Sequence, residues 1–341
     1  MSPTIKDVAK KAGVSLSTVS LVINNKSNVS PTTKKKVQEV IASLNYHPRR
    51  NARGLASKRT FNIGFILTED HFSLAEPFYT KIFLGTEFEA RKHNYYVLLT
   101  TVKKSFKVHE SVPRFLLEKN VDGVILAGKV PAKLIEYVQN LGIPLILVDY
   151  CLQMSKVSNV FIDNFQGARQ AVSHLMKSGH RKIAFIGGEI NHPSIAERLR
   201  GYRETHIEHN LPVADNLISH DEMSTGVDDG YRATCKLLDA GVSFTALFAS
   251  NDTMAIGAMR CLRERNLQIP KDVSLIGFDD IEVCLQVEPQ LSTVRVFKEE
   301  LGAIAVRRLV EKIEKEQSMV EQSLVPVELI LRESTAPVTS S

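Results

Sequence analysis

The stretch TIKDVAKKAGVSLSTVSLVINN, Thr4 to Asn25, decides the fold of the first part of the chain. Its apolar residues recur at helical spacing on either side of Gly13. Thr4 and Ser15 each precede one of these apolar patterns, at positions where hydroxyl side chains cap helices. Gly13 tolerates the positive φ of a sharp turn between them. The stretch therefore predicts two short helices joined by a glycine turn, a helix-turn-helix.

A third helix is predicted over about 30–44, where apolar residues again follow helical spacing. It offers four side chains to the same small core: Val37, Val40, Ile41 and Leu44. Residues 1–60 hold twelve Lys or Arg and two acidic residues, a net charge of +10, and since the whole chain carries +5 the remainder carries −5. A three-helix core without a ligand explains the apolar spacing. The charge and the small hydroxyls favour DNA binding instead.

From Phe61 onward, short apolar runs alternate with stretches of helical length. Such runs include NIGFIL (62–67), GVILAG (123–128), KIAFIGG (182–188) and VSLIGFD (273–279). The alternation predicts parallel sheets covered by helices on both faces, and a pause at 149–164 divides it into two similar sets. A chain of 341 residues also exceeds one core. We therefore expect a small all-α head and an α/β body of two doubly wound parallel-sheet lobes.

The four cysteines, Cys151, Cys235, Cys261 and Cys284, are widely separated and form no CxxC pair. Their spacing predicts buried thiols in a reducing compartment rather than a disulfide framework or a zinc site. The sequence contains no secretory signal pattern and no run of eighteen apolar residues. We therefore expect a cytoplasmic, nucleoid-associated protein that uses no membrane, metal or cofactor.

Motifs for catalysis are weak in this chain. FIGGEINH, 185–192, resembles a phosphate loop only loosely, because no GxxxxGK[ST] or GxGxxG pattern follows a strand. His206 and His209 lie one helical turn apart, and we interpret them as a solvated helix face rather than a metal site. No serine, histidine and carboxylate form a recognisable triad. An enzyme is therefore the less favoured class.

Polar side chains follow several of the predicted strands, at the carboxyl ends where open α/β sheets bind ligands. They are Asp149, Asn251, Asp252, Asp279 and Asp280. Carboxylates accept hydrogen bonds from hydroxyls, and guanidinium or amide groups donate to hydroxyl oxygens. This set of groups favours a polyhydroxylated ligand, such as a sugar or a sugar phosphate.

Thr4–Asn25, together with VSPTTKKKVQEVIASLNYHPRRNARGLAS over 29–57, resembles the DNA-binding head and hinge of the lactose repressor (LacI/GalR) family. The resemblance extends through GHRKIAFIGG, RLRGYRE, LFASNDTMAIGAMRCL and VSLIGFDDIE, and so covers nearly the whole chain. It implies a helix-turn-helix regulator with a two-lobe body like that of periplasmic binding proteins.

The resemblance implies that the second helix enters the major groove of operator DNA, with residues 16, 17 and 21 facing base edges. The DNA contacts it implies are Thr4, Ser15, Leu16, Ser17, Thr18, Ser20, Leu21, Asn24, Asn25, Arg53 and Leu55. Leu16 and Leu21 cannot hydrogen-bond, so they suit thymine methyl groups or a groove shape. Leu55, in the hinge, is implied to be a wedge in the minor groove.

The resemblance also implies a small effector bound between the two lobes. The residues placed around it are Phe78, Tyr79, Asp149, Asp163, Arg198, Asn251 and Asp279. Phe78 and Tyr79 would form a flat apolar wall. The aromatic residue that the family usually contributes around 220–230 is not evident in SHDEMSTGVDDGY, 219–231. A sugar or sugar derivative is the expected effector, and a purine-type corepressor is the alternative.

The expected organisation is a helix-turn-helix domain over 1–46, a hinge helix over 47–60 and an effector-binding and dimerisation domain over 61–341. The N lobe of this last domain is expected over about 61–161 and 292–323, and the C lobe over about 162–291 and 324–338. We expect a homodimer, rather than a tetramer, that reads pseudo-palindromic double-stranded operator DNA and acts as a repressor more than as an activator. The main rival from another class is a solute-binding protein with the same two lobes and no regulatory role.

Overall fold

A computed structural model of the chain describes residues 3–23, 28–46, 59–71, 78–108, 110–150, 157–188, 190–315 and 319–338. Contacts between residues divide the chain into two units, Met1–Phe61 and Asn62–Ser341. Among the described segments, no helix combines the length and the hydrophobicity that a membrane crossing requires.

The described residues of the first unit contain three helices: α1 (Ile5–Ala12), α2 (Leu16–Ile23) and α3 (Pro31–Ser43). α1 begins at a capping box, because the Thr4 main-chain NH donates to the Asp7 carboxylate at 2.8 Å and the Thr4 hydroxyl accepts from the Asp7 NH at 3.4 Å. It ends at Gly13, whose φ of 64° is left-handed. The helices share one core, which includes Val8, Ala12, Val19, Val22, Val37 and Tyr46. The predicted helix-turn-helix and third helix are confirmed, and Tyr46 is a core residue that was not predicted.

The second unit alternates strands and helices. Its strands are β1 (Asn62–Thr68), β2 (Tyr96–Val102), β3 (Gly123–Ala127), β4 (Leu145–Val148), β5 (Ser158–Ile162), β6 (Ile183–Gly188), β7 (Ile218–Glu222), β8 (Ala246–Ala249), β9 (Ser274–Ile276), β10 (Thr293–Val296), β11 (Gln322–Val325) and β12 (Val327–Ile330). Its helices are α4 (Phe78–Lys92), α5 (Arg114–Leu117), α6 (Ala132–Asn140), α7 (Asn164–Lys177), α8 (Pro193–Glu208), α9 (Val227–Asp239), α10 (Asp252–Glu264) and α11 (Lys298–Glu314).

Two parallel sheets organise the second unit. The N lobe is built on a six-stranded sheet of order β11-β5-β4-β3-β1-β2, and the C lobe on a four-stranded sheet of order β7-β6-β8-β9. Every residue of β3, β4 and β8 is buried, as expected for strands that are covered on both faces. The predicted body of two α/β lobes with parallel sheets is confirmed.

Some strands differ from the sequence-based expectation. β5 lies in the segment that we interpreted as a pause, and it joins the six-stranded sheet. The apolar segment VPVELIL, 325–331, is not one continuous strand: β11 ends before Pro326 and β12 begins after it, since proline lacks the NH that a ladder needs. β12 pairs antiparallel with β10, from Thr293 opposite Ile330 to Val296 opposite Val327. A pairing between segments so far apart cannot be predicted from the local periodicity of the sequence.

The chain passes between the lobes after β5, around β10 and after β11. Residues 334–336 then pack against the C lobe. There the Ser334 hydroxyl donates to the Leu275 carbonyl at 2.6 Å, and the Ala336 NH donates to the Ser274 hydroxyl at 3.0 Å. Both lobes are therefore completed by residues that lie late in the chain.

Helices α4 and α11 of the N lobe approach each other through two glycines. A Cβ atom at Gly85 would lie 1.9 Å from the Glu299 carbonyl oxygen, and one at Gly302 would lie 2.1 Å from the Ile82 carbonyl oxygen. Both neighbours are main-chain atoms, which cannot move aside as a flexible side chain can. Glycine at these positions is what allows the two helices to touch.

Cys235 on α9 and Cys261 on α10 form a disulfide, with their Cα atoms 6.0 Å apart. The prediction that all four cysteines are thiols is therefore wrong for this pair. The two residues are 26 positions apart, and only the packing of α9 on α10 brings them together. Cys284 is a buried free thiol whose pKa is raised by burial. Cys151 lies outside the described residues.

The two histidines at the end of α8 have different environments. His206 is buried, with Nδ1 2.9 Å from the Tyr202 carbonyl oxygen, so the prediction that it faces solvent is wrong. His206 faces inward because its ring lies against the ring of Tyr202. His209 is exposed, as predicted. Within the described ranges, no three His, Cys, Asp or Glu side chains are placed to hold a metal ion.

Candidate functional site

The exposed face of α2 carries small hydroxyls and two leucines. The Ser15 hydroxyl accepts from the Thr18 NH at 3.1 Å, and it is hydrogen-bonded to the hydroxyls of Ser17 at 2.7 Å and Thr18 at 2.9 Å. Leu16 and Leu21 remain 45% and 36% exposed although they lie on a small helical unit with its own core. This face is therefore available to a partner outside the unit.

Lysines surround this helical unit. Lys10 and Lys11 lie in the last turn of α1, and Lys35 and Lys36 are exposed on α3. Lys11 donates to the Ser43 hydroxyl at 3.0 Å and keeps its charge at the surface. Positive charge beside small hydroxyls suits a phosphate backbone.

The predicted DNA contacts lie in different parts of the chain, and not all of them are among the described residues. Thr4 caps α1, and five of the contacts lie on α2: Leu16, Ser17, Thr18, Ser20 and Leu21. Ser15 caps α2 through its hydroxyl. Asn24, Asn25, Arg53 and Leu55 lie outside the described residues.

A cavity of about 680 Å³ opens in the second unit at the carboxyl ends of the strands, with lining residues from both lobes. Six of the seven predicted effector contacts line it: Phe78, Tyr79, Asp149, Arg198, Asn251 and Asp279. Asp163 does not, because it caps α7 by accepting from the Gln166 NH at 3.0 Å. The volume lies in the range of small-molecule sites in proteins.

Asp149 directly follows β4, with a left-handed φ of 53°, and its buried carboxylate connects the two lobes. Tyr79 at the start of α4 donates its hydroxyl to this carboxylate at 2.9 Å, and Ser194 at the start of α8 donates at 3.2 Å. Burial raises the pKa of Asp149, and the positive charge of Arg198 acts in the opposite direction. An ionised carboxylate accepts about four hydrogen bonds, and the described residues donate these two, so Asp149 can accept further hydrogen bonds from a ligand.

Arg198 on α8 is held by the protein on all three guanidinium nitrogens. Nε donates to Asn164 at 2.8 Å, one terminal nitrogen donates to the Ser250 carbonyl, and the other donates to Asp279 at 3.2 Å. The guanidinium also lies 3.7 Å from the centre of the Phe278 ring. Burial raises the pKa of Asp279 to about 6, although Arg198 favours its ionised form. Arg198 therefore orients Asp279 in this structure.

The Asn251 side chain is likewise engaged within the protein. Its oxygen caps α10 by accepting from the Met254 NH at 2.8 Å, and its nitrogen donates to the Thr225 carbonyl at 3.1 Å. Asn251 thereby fixes the loop at 223–227, which lines the cavity. This loop presents Met223 and Thr225 to the cavity and no aromatic ring.

Sequence reasoning missed several residues that line the cavity: His71, Lys104, Lys129, His192, Ser194 and Thr253. The His71 ring stacks on Tyr79 with ring centres 4.6 Å apart. His71, Lys104 and Lys129 follow β1, β2 and β3. The rule that ligands bind at the carboxyl ends of strands would have found them if it had been applied to every strand.

Comparison with known proteins agrees with both units. Residues 4–49 match the family described as bacterial regulatory proteins, lacI family, and residues 172–335 match a periplasmic binding protein-like domain. Catabolite control protein A of Priestia megaterium is 35% identical over 98% of this chain and 100% of its own length.

Solved structures show the same similarity. The lac repressor dimer bound to operator and the anti-inducer ONPF is 29% identical, with a TM-score of 0.81 over 98% of this chain and 100% of that chain. A complex of the transcriptional regulator CelR with cellobiose is 32% identical, with a TM-score of 0.75 over 97% of this chain and 99% of that chain.

A helix-turn-helix unit followed by a two-lobe periplasmic-binding-protein-like unit defines a DNA-binding transcriptional regulator and not an enzyme. The chain belongs to the LacI family of such regulators.

Proposed function

We propose that this regulator is a repressor whose affinity for operator DNA is controlled by a sugar or sugar derivative bound in the cavity of the second unit. The observation that carries the proposal is the pair of carboxylates, Asp149 and Asp279, which line one cavity from opposite lobes. Each has acceptor capacity left beyond its protein partners, and sugar hydroxyls are matching donors. The cellobiose in the CelR complex supports this class of effector.

The other predicted contacts take different parts in this proposal. Phe78 and Tyr79 provide an apolar wall for a sugar ring, and their own rings lie 5.1 Å apart, edge to face. Arg198 orients Asp279, and Asn251 holds the loop at 223–227. Binding a ligand to groups of both lobes favours one arrangement of the lobes, and this differential affinity is what alters operator binding.

For the first unit, we propose that α2 enters the major groove of the operator. Ser17, Leu16 and Leu21 would face base edges there, while Thr4, Ser15, Thr18 and Ser20 would hold phosphates. Asn24 and Asn25 are assigned to phosphates, Arg53 to a position near the DNA backbone and Leu55 to the minor groove, by the family resemblance alone. The exposure of Leu16 and Leu21 supports the assignment of α2.

A homodimer would place two such helices on two half-sites of a near-palindrome. Leu84 and Phe88 are exposed on α4, and Tyr96 and Leu99 are exposed on the neighbouring edge strand β2. An apolar surface beside an open strand edge suits a second copy of the chain. The lac repressor relative was solved as a dimer on operator.

We retain the division into a DNA-binding domain over 1–46, a hinge over 47–60 and an effector-binding domain over 61–341 as part of this proposal. The boundary of the two units after Phe61 supports it. The protein would act in the cytoplasm on the nucleoid.

The experiment begins by selecting operator sequences from random DNA with the full-length protein. Labelled operator is then titrated by fluorescence anisotropy with and without a panel of sugars, sugar phosphates, uronic acids and purines. We expect at least one sugar or derivative to change operator affinity by about 5- to 150-fold. Asp149→Asn should remove this response and leave operator affinity without sugar unchanged.

Other outcomes decide against the proposal. A response to a purine alone would make the protein a purine-type regulator. Sugar binding by calorimetry without any selected operator would favour the solute-binding rival. If a variant lacking residues 1–60 kept its operator affinity, the assignment of DNA binding to the first unit would be wrong.

A further inference from the structure

Lys298 is the first residue of α11, and it is only 7% exposed. The start of a helix attracts negative charge, because the unpaired NH groups and the helix dipole are positive there. Glu299 and Glu300 in the same turn satisfy that preference. A buried lysine at this position is unfavourable unless other groups stabilise its ammonium.

The ammonium of Lys298 finds these groups in main-chain carbonyls. It donates to the carbonyl oxygens of Asp279, of Asp280 at 3.4 Å and of Val296 at 3.3 Å. The three NH groups of the ammonium therefore have three carbonyl oxygens as acceptors. The ammonium also lies 5.8 Å from the centre of the Phe78 ring. Lys298 therefore connects the start of α11, the segment after β9 and the start of α4.

The segment that receives Lys298 has an unusual backbone. Asp279 has a φ of 111° and Asp280 a φ of 53°, a region that residues with a side chain rarely adopt. Such conformations persist only where the surroundings impose them. The Asp280 carboxylate is held by Arg295 at 2.7 Å and by Arg332 at 2.6 Å. Lys298 holds the carbonyls of the same two residues.

The conformation of this segment determines where the Asp279 carboxylate lies. Its neighbours in the fold are Arg198 on α8, Asp149 after β4, Asp252 at the start of α10, Tyr79 on α4 and Lys298. Arg198 and Lys298 are the cations of this group. Since the acceptors of Lys298 are neutral carbonyls, its charge remains available to attract the Asp279 carboxylate.

We infer that Lys298 is a positioning residue for Asp279: it fixes the left-handed backbone of Asp279 and Asp280 and keeps a positive charge next to Asp279 at the cavity. The importance of Asp279 for the effector rests on the proposed function. The link between Lys298 and Asp279 does not, and it can be tested without any ligand.

The test is a double-mutant cycle on the full-length protein. Unfolding by urea is followed by circular dichroism at pH 5.5 and pH 8 for the wild type, Lys298→Met, Asp279→Asn and the double variant. The Asp279 pKa in the folded protein, about 6, is above its ordinary value of 3.8, so ionising this group costs stability as pH rises through that range. Removing the lysine charge raises this pKa further, and the cost then continues to higher pH.

We expect Lys298→Met to raise the unfolding equilibrium constant above that of the wild type, and to do so by about tenfold more at pH 8 than at pH 5.5. A tenfold factor corresponds to one pKa unit for the Asp279 carboxyl. This excess should disappear in the Asp279→Asn background. Lys298→Arg, which keeps the charge, should show little of the excess, and it also serves if Lys298→Met fails to fold. Lys315→Met, which removes an exposed charge just after the same helix, should show none.

Two results would overturn the inference. A loss of stability that is equal at both pH values would mean that Lys298 acts only through packing. An excess at pH 8 that persists with Asp279→Asn would mean that the charge of Lys298 acts on another carboxyl, with Asp252 the first candidate.

Discussion

At the scale of single residues, Tyr79 has a measurable part in holding the Asp149 carboxylate. Its hydroxyl donates to that buried carboxylate at 2.9 Å. Tyr79→Phe removes the donor and leaves a buried charge with fewer partners, so we expect the free energy of unfolding at pH 7.5 to fall by about 1–3 kcal/mol. Urea denaturation followed by circular dichroism measures this change.

Tyr231→Phe is the matched control. The Tyr231 hydroxyl donates to Glu264 at 2.6 Å, a shorter bond, but at the surface. Water replaces the lost partner there, so stability should hardly change. Equal losses in the two variants would show that burial of Asp149 is not what makes the Tyr79 bond important.

At the scale of elements, the contact between α4 and α11 depends on Gly302. An alanine Cβ at this position would meet the Ile82 carbonyl oxygen and the Thr86 main chain, so the helices must separate. We expect Gly302→Ala to destabilise the second unit by about 1–3 kcal/mol, as overpacking usually does, even though alanine is the better helix former. Differential scanning calorimetry would show the loss as a lower Tm.

Ala303→Ser, which adds one side-chain atom at the next residue, is the control for Gly302→Ala. Ala303 is half-buried on the same helix. Ala303→Ser should therefore lower the Tm much less than Gly302→Ala does. If the two variants behaved alike, the close approach at Gly302 would not be limiting.

At the scale of the whole molecule, the proposed dimer depends on the exposed apolar surface of α4 and β2. Phe88 is 54% exposed on α4, and Phe88→Glu would bury a charge in the proposed contact. We expect sedimentation velocity to show monomers where the wild type is dimeric. Operator affinity should fall at least about a hundredfold, because two linked half-site contacts become independent.

Ile207→Glu is the control for this change. Ile207 is 66% exposed near the end of α8 in the C lobe. The same charge placed there should leave both the dimer and operator affinity intact. A wild-type protein that is monomeric at micromolar concentration would contradict the proposed dimer itself.

Local chemistry was enough to predict much of this protein from its sequence. Hydroxyl caps, Gly13 and apolar periodicity predicted the first unit, and polar residues after buried strands predicted Asp149 and Asp279 at one cavity. The hydrogen-bond partners of Arg198 could not be predicted from local sequence, because they come from three separate segments of the chain.

Local sequence also does not reveal how distant segments pack, and this explains the expectations that were wrong. The Cys235–Cys261 disulfide and the inward position of His206 depend on how helices pack, and the β10–β12 pair joins segments more than thirty residues apart. Contacts between distant segments can be inferred from the sequence only through its resemblance to a known family.

The late position of β11 and of residues 334–336 has a consequence for synthesis on the ribosome. The six-stranded sheet lacks an edge strand until β11 has been made, and the C lobe lacks the partners of Ser274 and Leu275 until residues 334–336 have followed. A nascent chain can form the helix-turn-helix early, because all of its core is present within the first 46 residues. Both lobes are complete only after those late residues have been made, so the DNA-reading part of this regulator can fold before the part that controls it is complete.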